Sequence, residues 1–350
     1  MSDYFRRGRT FFAVCLCLMV AVTAAPARAQ DNKIKLAVAS AAVVYAPIWV
    51  AVSENLFQKH GVDVELVSSN ALSTGSAMIA SGSADLLATT AFLGMHIANQ
   101  GKPLSYVMNL TNMNAGINAV VARPSIKSFD QVTAMSSGCK TIILPQGTAT
   151  WAIYRGVESR YHLKCSAGTA GTVPLLVADA LSGQFDVAVL NPQDAYAAHD
   201  AGKVNILFDP LKTTPDMSHG IYPFVHPLSV VFGLKETVQQ KRDAVQRFVG
   251  ALKEANAIVC QRSPEELGKE ISEKLPAAFG STPVAALVLQ FKVNKAFFPC
   301  GPRAGFISAD DWNEMIKAAP VYWGFSADDL AGPGVKYANV VDMSYFDLSK

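Results

Sequence analysis

The chain has 350 residues, of which 50% are hydrophobic and 17% charged, a composition that excludes global disorder and suffices for two domains of ordinary size. The formal charge of +2 is concentrated at the start, where residues 1–29 hold four arginines and one aspartate. The remainder carries 26 basic against 27 acidic residues, a balance of about −1, which excludes the clustered positive surface that nucleic acid requires.

The opening segment "MSDYFRRGRTFFAVCLCLMVAVTAAPARAQ" places Arg6, Arg7 and Arg9 before an apolar run from Phe11 to Ala25 and ends in Ala27-Arg28-Ala29. This is the pattern of a secretory signal peptide, expected to be cleaved after Ala29. The run is shorter than the roughly 20 residues a bilayer span needs. A soluble, exported, periplasmic protein is therefore expected. Four cysteines remain after cleavage, Cys139, Cys165, Cys260 and Cys300, and an even number in an oxidising compartment favours two disulfides, with three connectivities open. No C-x-x-C pair occurs and the six histidines are scattered, so neither a metal site nor a cofactor is expected.

From Ile34 short apolar runs alternate with amphipathic segments. "IKLAVAS" predicts a strand, Pro47 to Lys59 a helix, "VDVELVSS" a strand, and Ser73 to Ala80 a helix stopping at Gly82. Then follow the strand "DLLATT", a helix over Phe92 to Asn99, and the strand "LSYVMNL". This β-α-β-α-β-α-β order predicts a largely parallel sheet covered by helices.

The pattern restarts with the strand "NAVVARP", a short helix from Ser128, the strand "CKTIILPQG", and a helix from Thr148 to Tyr161. After it come the helix "PLLVADALSG", the strand "DVAVLNP", a helix from Pro192 to Ala201, and the strand "VNILF". Beyond the strand "PLSVVFGL" the chain reads as helical, from Glu236 to about Arg262, from the capping box Ser263-Pro264-Glu265-Glu266, and from Ser308-Ala309-Asp310-Asp311. These helices are expected to wrap the first lobe, with "NAVVARP" and His226 to Val231 as two crossings between lobes.

One phrase is written twice. "SGSADL" at Ser81–Leu86 and "SGQFDV" at Ser182–Val187 each run a helix into Ser-Gly, then an Asp, then an apolar strand. The Gly can release the helix through a left-handed turn, and the Asp opens the strand that leads to the ligand edge. The repeats mark equivalent points in two α/β lobes.

Four stretches in order, "YAPIWVAVSENLFQKHGVDVELV", "IASGSADLLATTAF", "ARPSIKSFDQV" ahead of "TIILPQGTATWAIY", and "ALSGQFDVAVLNPQDAY", resemble the substrate-binding proteins of ABC importers in the nitrate, sulfonate, taurine and thiamine-pyrimidine group. The resemblance spans roughly residues 34–330. It implies a two-lobed type II periplasmic binding fold with two hinge crossings and a ligand cleft between lobes. Lobe 1 is expected over 30–117 and 228–350, with the C-terminal helices, and lobe 2 over 118–227. It also implies a monomer that closes on a small polar or anionic solute, sulfonate- or nitrate-like, and delivers it to a membrane permease. Leu190 and Asn191 stand where many relatives have Trp and an acidic residue, and a Leu-Lys-Gly-Lys turn is replaced near Thr133 to Cys139. On this lobe division Cys139 pairs with Cys165 and Cys260 with Cys300, so that neither bridge crosses the hinge.

Ligands of open α/β sheets lie beyond the carboxyl ends of the strands. The residues there are Ser40 to Tyr45, Ser69 and Asn70, Thr89 and Thr90, Asn112 to Asn114, Gln146 to Thr150, and Asn191. This set is rich in hydroxyls and amides and has no Lys, Arg, Asp or Glu. A helix starting at Thr148 would add free N–H groups, which bind anions without a side-chain cation. The expected ligand shell is Ser40, Tyr45, Asn70, Thr90, Asn114, Gly147, Thr148, Thr150 and Asn191. The plain alternative for the same residues is helix capping and turn formation. Other readings are a pyrimidine-precursor binding protein and an enzyme on the same fold resembling the thiamine-pyrimidine synthase. The cysteine-rich motif expected of that enzyme is missing, as are paired carboxylates, a nucleophile elbow and a phosphate loop. No catalytic residue is assigned.

Overall fold

The computed structural model describes residues 32–68, 72–212 and 214–346. The expected signal peptide, the strand-end candidate Ser69 and Asn70 of the expected ligand shell lie outside the described residues. Among the described residues ten strands form two five-stranded sheets. The first contains β1 (Lys33–Val38), β2 (Asp63–Ser68), β3 (Leu86–Thr90) and β4 (Leu104–Met113). The second contains β5 (Ala119–Ala122), β6 (Lys140–Ile143), β7 (Ser166–Thr169), β8 (Val187–Leu190) and β9 (Asn205–Phe208). The chain then returns to the first sheet with β10 (His226–Leu234).

The two sheets have one topology. Their orders are β2-β1-β3-β10-β4 and β7-β6-β8-β5-β9. In the first, β1 is parallel to β2 and β3, while β10 runs antiparallel between β3 and β4. In the second, β6 is parallel to β7 and β8, while β5 runs antiparallel between β8 and β9. Four strands of each sheet therefore run one way, so each sheet is largely parallel as expected, and what the expectation lacked is the one antiparallel strand. In both, the fourth position is filled by the strand that has just arrived from the other sheet. The stretches read as crossings are these inserted strands, and the chain passes between sheets over residues 114–118 and 209–225.

The doubled phrase has a structural counterpart in each sheet. Gly82 and Gly183 take φ of 71° and 78°, the left-handed turn that ends a helix without Cβ strain. Three residues on, Asp85 and Asp186 do the same work at the foot of their sheets. Asp85 Oδ2 accepts from Lys35 N at 2.8 Å, and Asp186 Oδ2 accepts from Lys140 N at 2.8 Å. Each Asp also donates its own N–H to the carbonyl of that same lysine. A cation completes each node: Lys241 Nζ lies 2.7 Å from Asp85, and Arg123 Nε 2.9 Å from Asp186.

Several elements differ from expectation. The helix expected over Pro47 to Lys59 is broken at Glu54 and Asn55, where Asn55 adopts φ 54°, leaving helices Ala46–Ser53 and Leu56–Lys59. The long helix from Glu236 is broken at Lys241 into Lys235–Gln240 and Arg242–Gln261. The break lets Lys241 Nζ reach Lys33 O at 2.9 Å as well as Asp85. β7 and the helix Pro215–Ile221 were not expected, since "SAGT" offers no apolar run. The capping boxes at Ser263 and Ser308 are both formed, and a third stands at Ser326.

Both disulfides pair as expected, Cys139 with Cys165 and Cys260 with Cys300. The first joins the residues immediately before β6 and β7, whose register pairs Lys140 with Ser166, so it staples the amino ends of two parallel strands. One apolar cluster runs through both sheets, from Ala37 and Phe92 to Ile143 and Val157. On the opposite faces each sheet has its own, a large one in the first and a small one in the second. No helix among the described residues is long and apolar enough to cross a membrane.

Candidate functional site

The carboxyl ends of β1, β3, β4, β6 and β8 and the amino ends of β5 and β10 fall on two sheet edges. Residues 114–118 join the end of β4 to the start of β5, and five residues reach across at most about 20 Å. The two edges are therefore held close, and they carry the candidate residues.

On the first edge, Ser40 is exposed in the bend after β1, and its carbonyl accepts from Ala42 N. Tyr45 is only 5% exposed and belongs to the first sheet's own core. Burial pushes its phenol well above the ordinary range, with Thr89 beside it opposing that shift. The approach falls short of a hydrogen bond, because Thr89 Oγ1 has no partner. Thr90 precedes helix Ala91–Asn99 without capping it, and its Oγ1 is buried and unpartnered. It stands in register with Ser229, which is itself in register with Thr111, forming a row of hydroxyls across three strands. Asn114 caps a short turn by accepting from Gly116 N at 2.8 Å.

On the second edge, Gly147 has φ 87°, and Thr148 caps helix Ala149–Tyr161. Thr148 Oγ1 donates to Pro145 O at 2.8 Å and accepts from Trp151 N. Thr150 Oγ1 accepts from Leu144 N and lies 3.1 Å from Thr148 Oγ1. Both hydroxyls thus brace the turn in this state. Among the described residues no acceptor meets the amides of Ala149 and Thr150, and the indole Nε1 of Trp151 is buried without a partner. Asn191 precedes helix Pro192–Asp200 and its Oδ1 accepts from Asn118 Nδ2 at 3.3 Å.

Sequence reasoning passed over two edge residues, Asn118 and Asp194, and left a third, Gln146, out of the expected ligand shell. Asn118, 2% exposed, gives its Nδ2 to Leu190 O and Asn191 Oδ1 and leaves its Oδ1 buried without a donor. Asp194, in the first turn after Asn191, has its carboxyl pushed up by burial, with an Asn191 hydrogen bond opposing. Gln146 reaches back to the first sheet's C-terminal segment, donating to Gly324 O at 2.8 Å and Trp323 O at 3.4 Å. Gly324 has φ 72°, and a Cβ there would collide with the Gln146 amide. A polar residue opening a strand or following its Asn-Pro end was the available signal for the first two.

Beside this contact lies a packed aromatic wall. Trp323 stacks on Phe92 at 4.1 Å, and its Nε1 donates to Tyr222 OH at 2.7 Å. Tyr222 OH lies 2.6 Å from His226 Nε2, and His226 Nδ1 2.9 Å from Pro227 O. The carbonyl requires a donor at Nδ1, and in the neutral ring that burial favours, Nε2 then accepts from Tyr222. Burial holds its pKa down, to about 4. The two sheets also meet on their other face, where helix Pro192–Asp200 packs on helix Val284–Asn294. A hollow of about 470 Å³ on helix Ala309–Tyr322, lined by Asp310, Asn313, Glu314, Ile316 and Lys317, is open surface carried by one helix and not part of this site. Among the described residues no group of three or more His, Cys, Asp or Glu side chains is placed to hold a metal ion.

The architecture is shared with known proteins. A structure from Bordetella bronchiseptica RB50 is similar with a TM-score of 0.69 at 17% identity, over 90% of this chain and 95% of that one. The alkanesulfonate-binding protein SsuA from Xanthomonas axonopodis pv. citri, bound to MOPS, is similar with a TM-score of 0.66 at 15% identity, over 90% and 100%. The periplasmic nitrate-binding protein NrtA from Synechocystis PCC 6803 is similar with a TM-score of 0.66 at 14% identity, over 90% and 87%. At such identities the likeness establishes the fold, the two-lobed α/β architecture of type II periplasmic binding proteins. No curated protein matches the sequence. The profile of one family, described as NMT1/THI5 like, matches residues 42–266, and the chain belongs to that family.

Proposed function

We propose that the protein is the extracytoplasmic solute-binding component of an ABC importer, capturing a small polar solute between its two sheet edges by lobe closure and passing it unchanged to a membrane permease. Lobe 1 is taken as residues 30–117 and 228–350, lobe 2 as 118–227. The observation that carries this reading is the pairing of two equivalent sheets across two crossings, one of only five residues, with unpartnered polar groups of Thr90, Asn118 and Trp151 on the facing edges. Buried polar atoms without partners are costly, and a ligand that meets them recovers that cost on binding.

Similar proteins named for alkanesulfonate and nitrate binding support the role, and the arginine-led apolar leader supports export to the periplasm. The free amides at Ala149 and Thr150, with Gly147, suit an anionic group of the solute. Tyr45, buried in the core, supports the edge from beneath, and Ser40, Thr90, Asn114, Thr148, Thr150 and Asn191 remain the proposed shell. Asn70 is proposed from sequence alone. Native mass spectrometry of protein purified from the periplasm tests the reading. A single retained small molecule, released with unchanged mass, is expected, and steady conversion of that molecule into a product would refute it.

A further inference from the structure

The second edge contains a patch that only accepts hydrogen bonds. Asn118 turns its Nδ2 to two acceptors, Leu190 O and Asn191 Oδ1, which fixes the orientation of the amide and leaves Oδ1 buried with no donor. Asn191 links this group to the first turn of helix Pro192–Asp200, where Asp194 stands. Among the described residues no Lys, Arg or His nitrogen lies within 4 Å of the Asp194 carboxylate. Its side-chain partners are Gln193 Nε2 at 3.4 Å and the amide of Asn191. The helix carrying Asp194 packs on helix Val284–Asn294 of the first lobe, so the patch lies where the lobes meet. Asn294, which ends that helix, is 5% exposed and its Oδ1 also lacks a donor.

We infer that this patch selects solutes bearing an N–H donor, a protonated amine or a related nitrogen group, held by Asn118 Oδ1 and the Asp194 carboxylate. The inference rests on the solute-binding reading and makes Asp194 its specificity-determining residue. An ionised carboxylate and an amide oxygen can only accept, so a group presented to them must donate. A bare oxyanion placed there would meet a like charge in a partly desolvated setting, whereas an ammonium would gain a charge-assisted bond. An acceptor group on the same solute can still use the amides of Ala149 and Thr150. The competing role for Asp194, complementing the helix dipole from the first turn, predicts no effect on ligand choice.

The test is calorimetry on the mature protein, stripped of solute, with matched probe pairs differing by one amino group. The pairs are 4-aminobutyrate and butyrate, 3-aminopropanesulfonate and propanesulfonate, and 2-aminopyrimidine and pyrimidine. At least one amino probe is expected to bind tenfold or more tighter than its partner. Asp194→Asn should weaken that probe tenfold or more while changing its partner less than twofold. Asn118→Ser is the second, independent variant and should narrow the same preference, and circular dichroism and melting temperature confirm that each variant is folded. Amino-free probes binding as tightly as their partners, no amine-dependent binding in any pair, or folded variants with unchanged preference would each overturn the inference. Binding and closure with an amino-free probe would leave the solute-binding reading standing while removing this one.

Discussion

The two lobes are built to one plan and stabilised by different means. Each has four strands running one way, one antiparallel insert and an Asp node at its foot. The first has strands of up to ten residues, a large private core and the C-terminal helices tied in through Lys241. In the second every strand has four residues and the private core is small. There the Cys139–Cys165 bridge staples two short strands directly, whereas Cys260–Cys300 ties helix Arg242–Gln261, already packed on a larger core, to the loop after Phe297. The difference teaches that one topology can rest on unequal cores, and it predicts that the smaller lobe depends more on its crosslink.

Removing the bridges is the harshest way to break this comparison. Loop entropy alone predicts about 3.5 kcal/mol for Cys139–Cys165, spaced 26 apart, and about 4 kcal/mol for Cys260–Cys300, spaced 40 apart. On the lobe argument the order of damage reverses. The Cys139→Ser, Cys165→Ser pair should produce a separate early transition, with hydrogen exchange rising in 140–143 and 166–169. The Cys260→Ser, Cys300→Ser pair should shift the global midpoint without splitting it. A single shared transition in the first variant would show that the second lobe does not depend on its staple.

Acid should act next, at the boundary between the lobes. His226 is buried neutral, with a pKa held at about 4 against an ordinary value of 6.5. Because the folded pKa is lowered, the unfolded chain takes up the proton first as pH falls. This contribution is fully present above about pH 6.5 and is lost down to about pH 4, amounting to about 3 kcal/mol. Glu314, which favours the charged form, reduces the penalty. Urea unfolding at pH 7 and 4.5 should show the loss in the native protein and a flatter profile in His226→Asn. Equal slopes in the two proteins would remove His226 as the cause.

The Asp nodes sharpen the comparison at smaller magnitude. Asp85→Asn and Asp186→Asn each weaken a hydrogen bond to a charged group, worth about 1.5–3 kcal/mol. Asp85→Asn should also loosen the junction at Lys241, whereas Asp186→Asn should stay local to the second sheet, a contrast readable by hydrogen exchange. Smaller still, Gln146→Ala removes donation to Gly324 O and Trp323 O and should shift the balance toward the open form by about 1 kcal/mol, roughly fivefold. Fluorescence transfer between labels on the two lobes would report it, and an unchanged distance distribution would show that the contact does not hold the lobes.

Much of this was legible in the sequence because alternation and punctuation are local. Apolar runs located nine of the ten strands, Ser-x-x-Glu and Ser-x-x-Asp located helix starts, and the twin Gly-x-x-Asp phrases located the two nodes. What was not legible depends on neighbours distant in the chain. An apolar strand does not state which strand it will lie beside, so the insertions of β10 and β5 were missed. β7 was invisible because "SAGT" pairs through its backbone and disulfide rather than through buried side chains. At the site, Thr148 and Asn191 could be placed from strand ends. That the Thr148 hydroxyl is committed to Pro145, and that Asn118 and Asp194 make an acceptor patch with Asn191, follows only from the folded chain.

The central claim is that two equivalent lobes close on a solute, and small-angle scattering tests it most directly. The protein would be measured with its retained solute and again after that solute has been stripped by unfolding and refolding. The account predicts a smaller radius of gyration with solute than without, restored when the same solute is added back. An identical radius in both states, with the solute demonstrably bound, would contradict capture by closure.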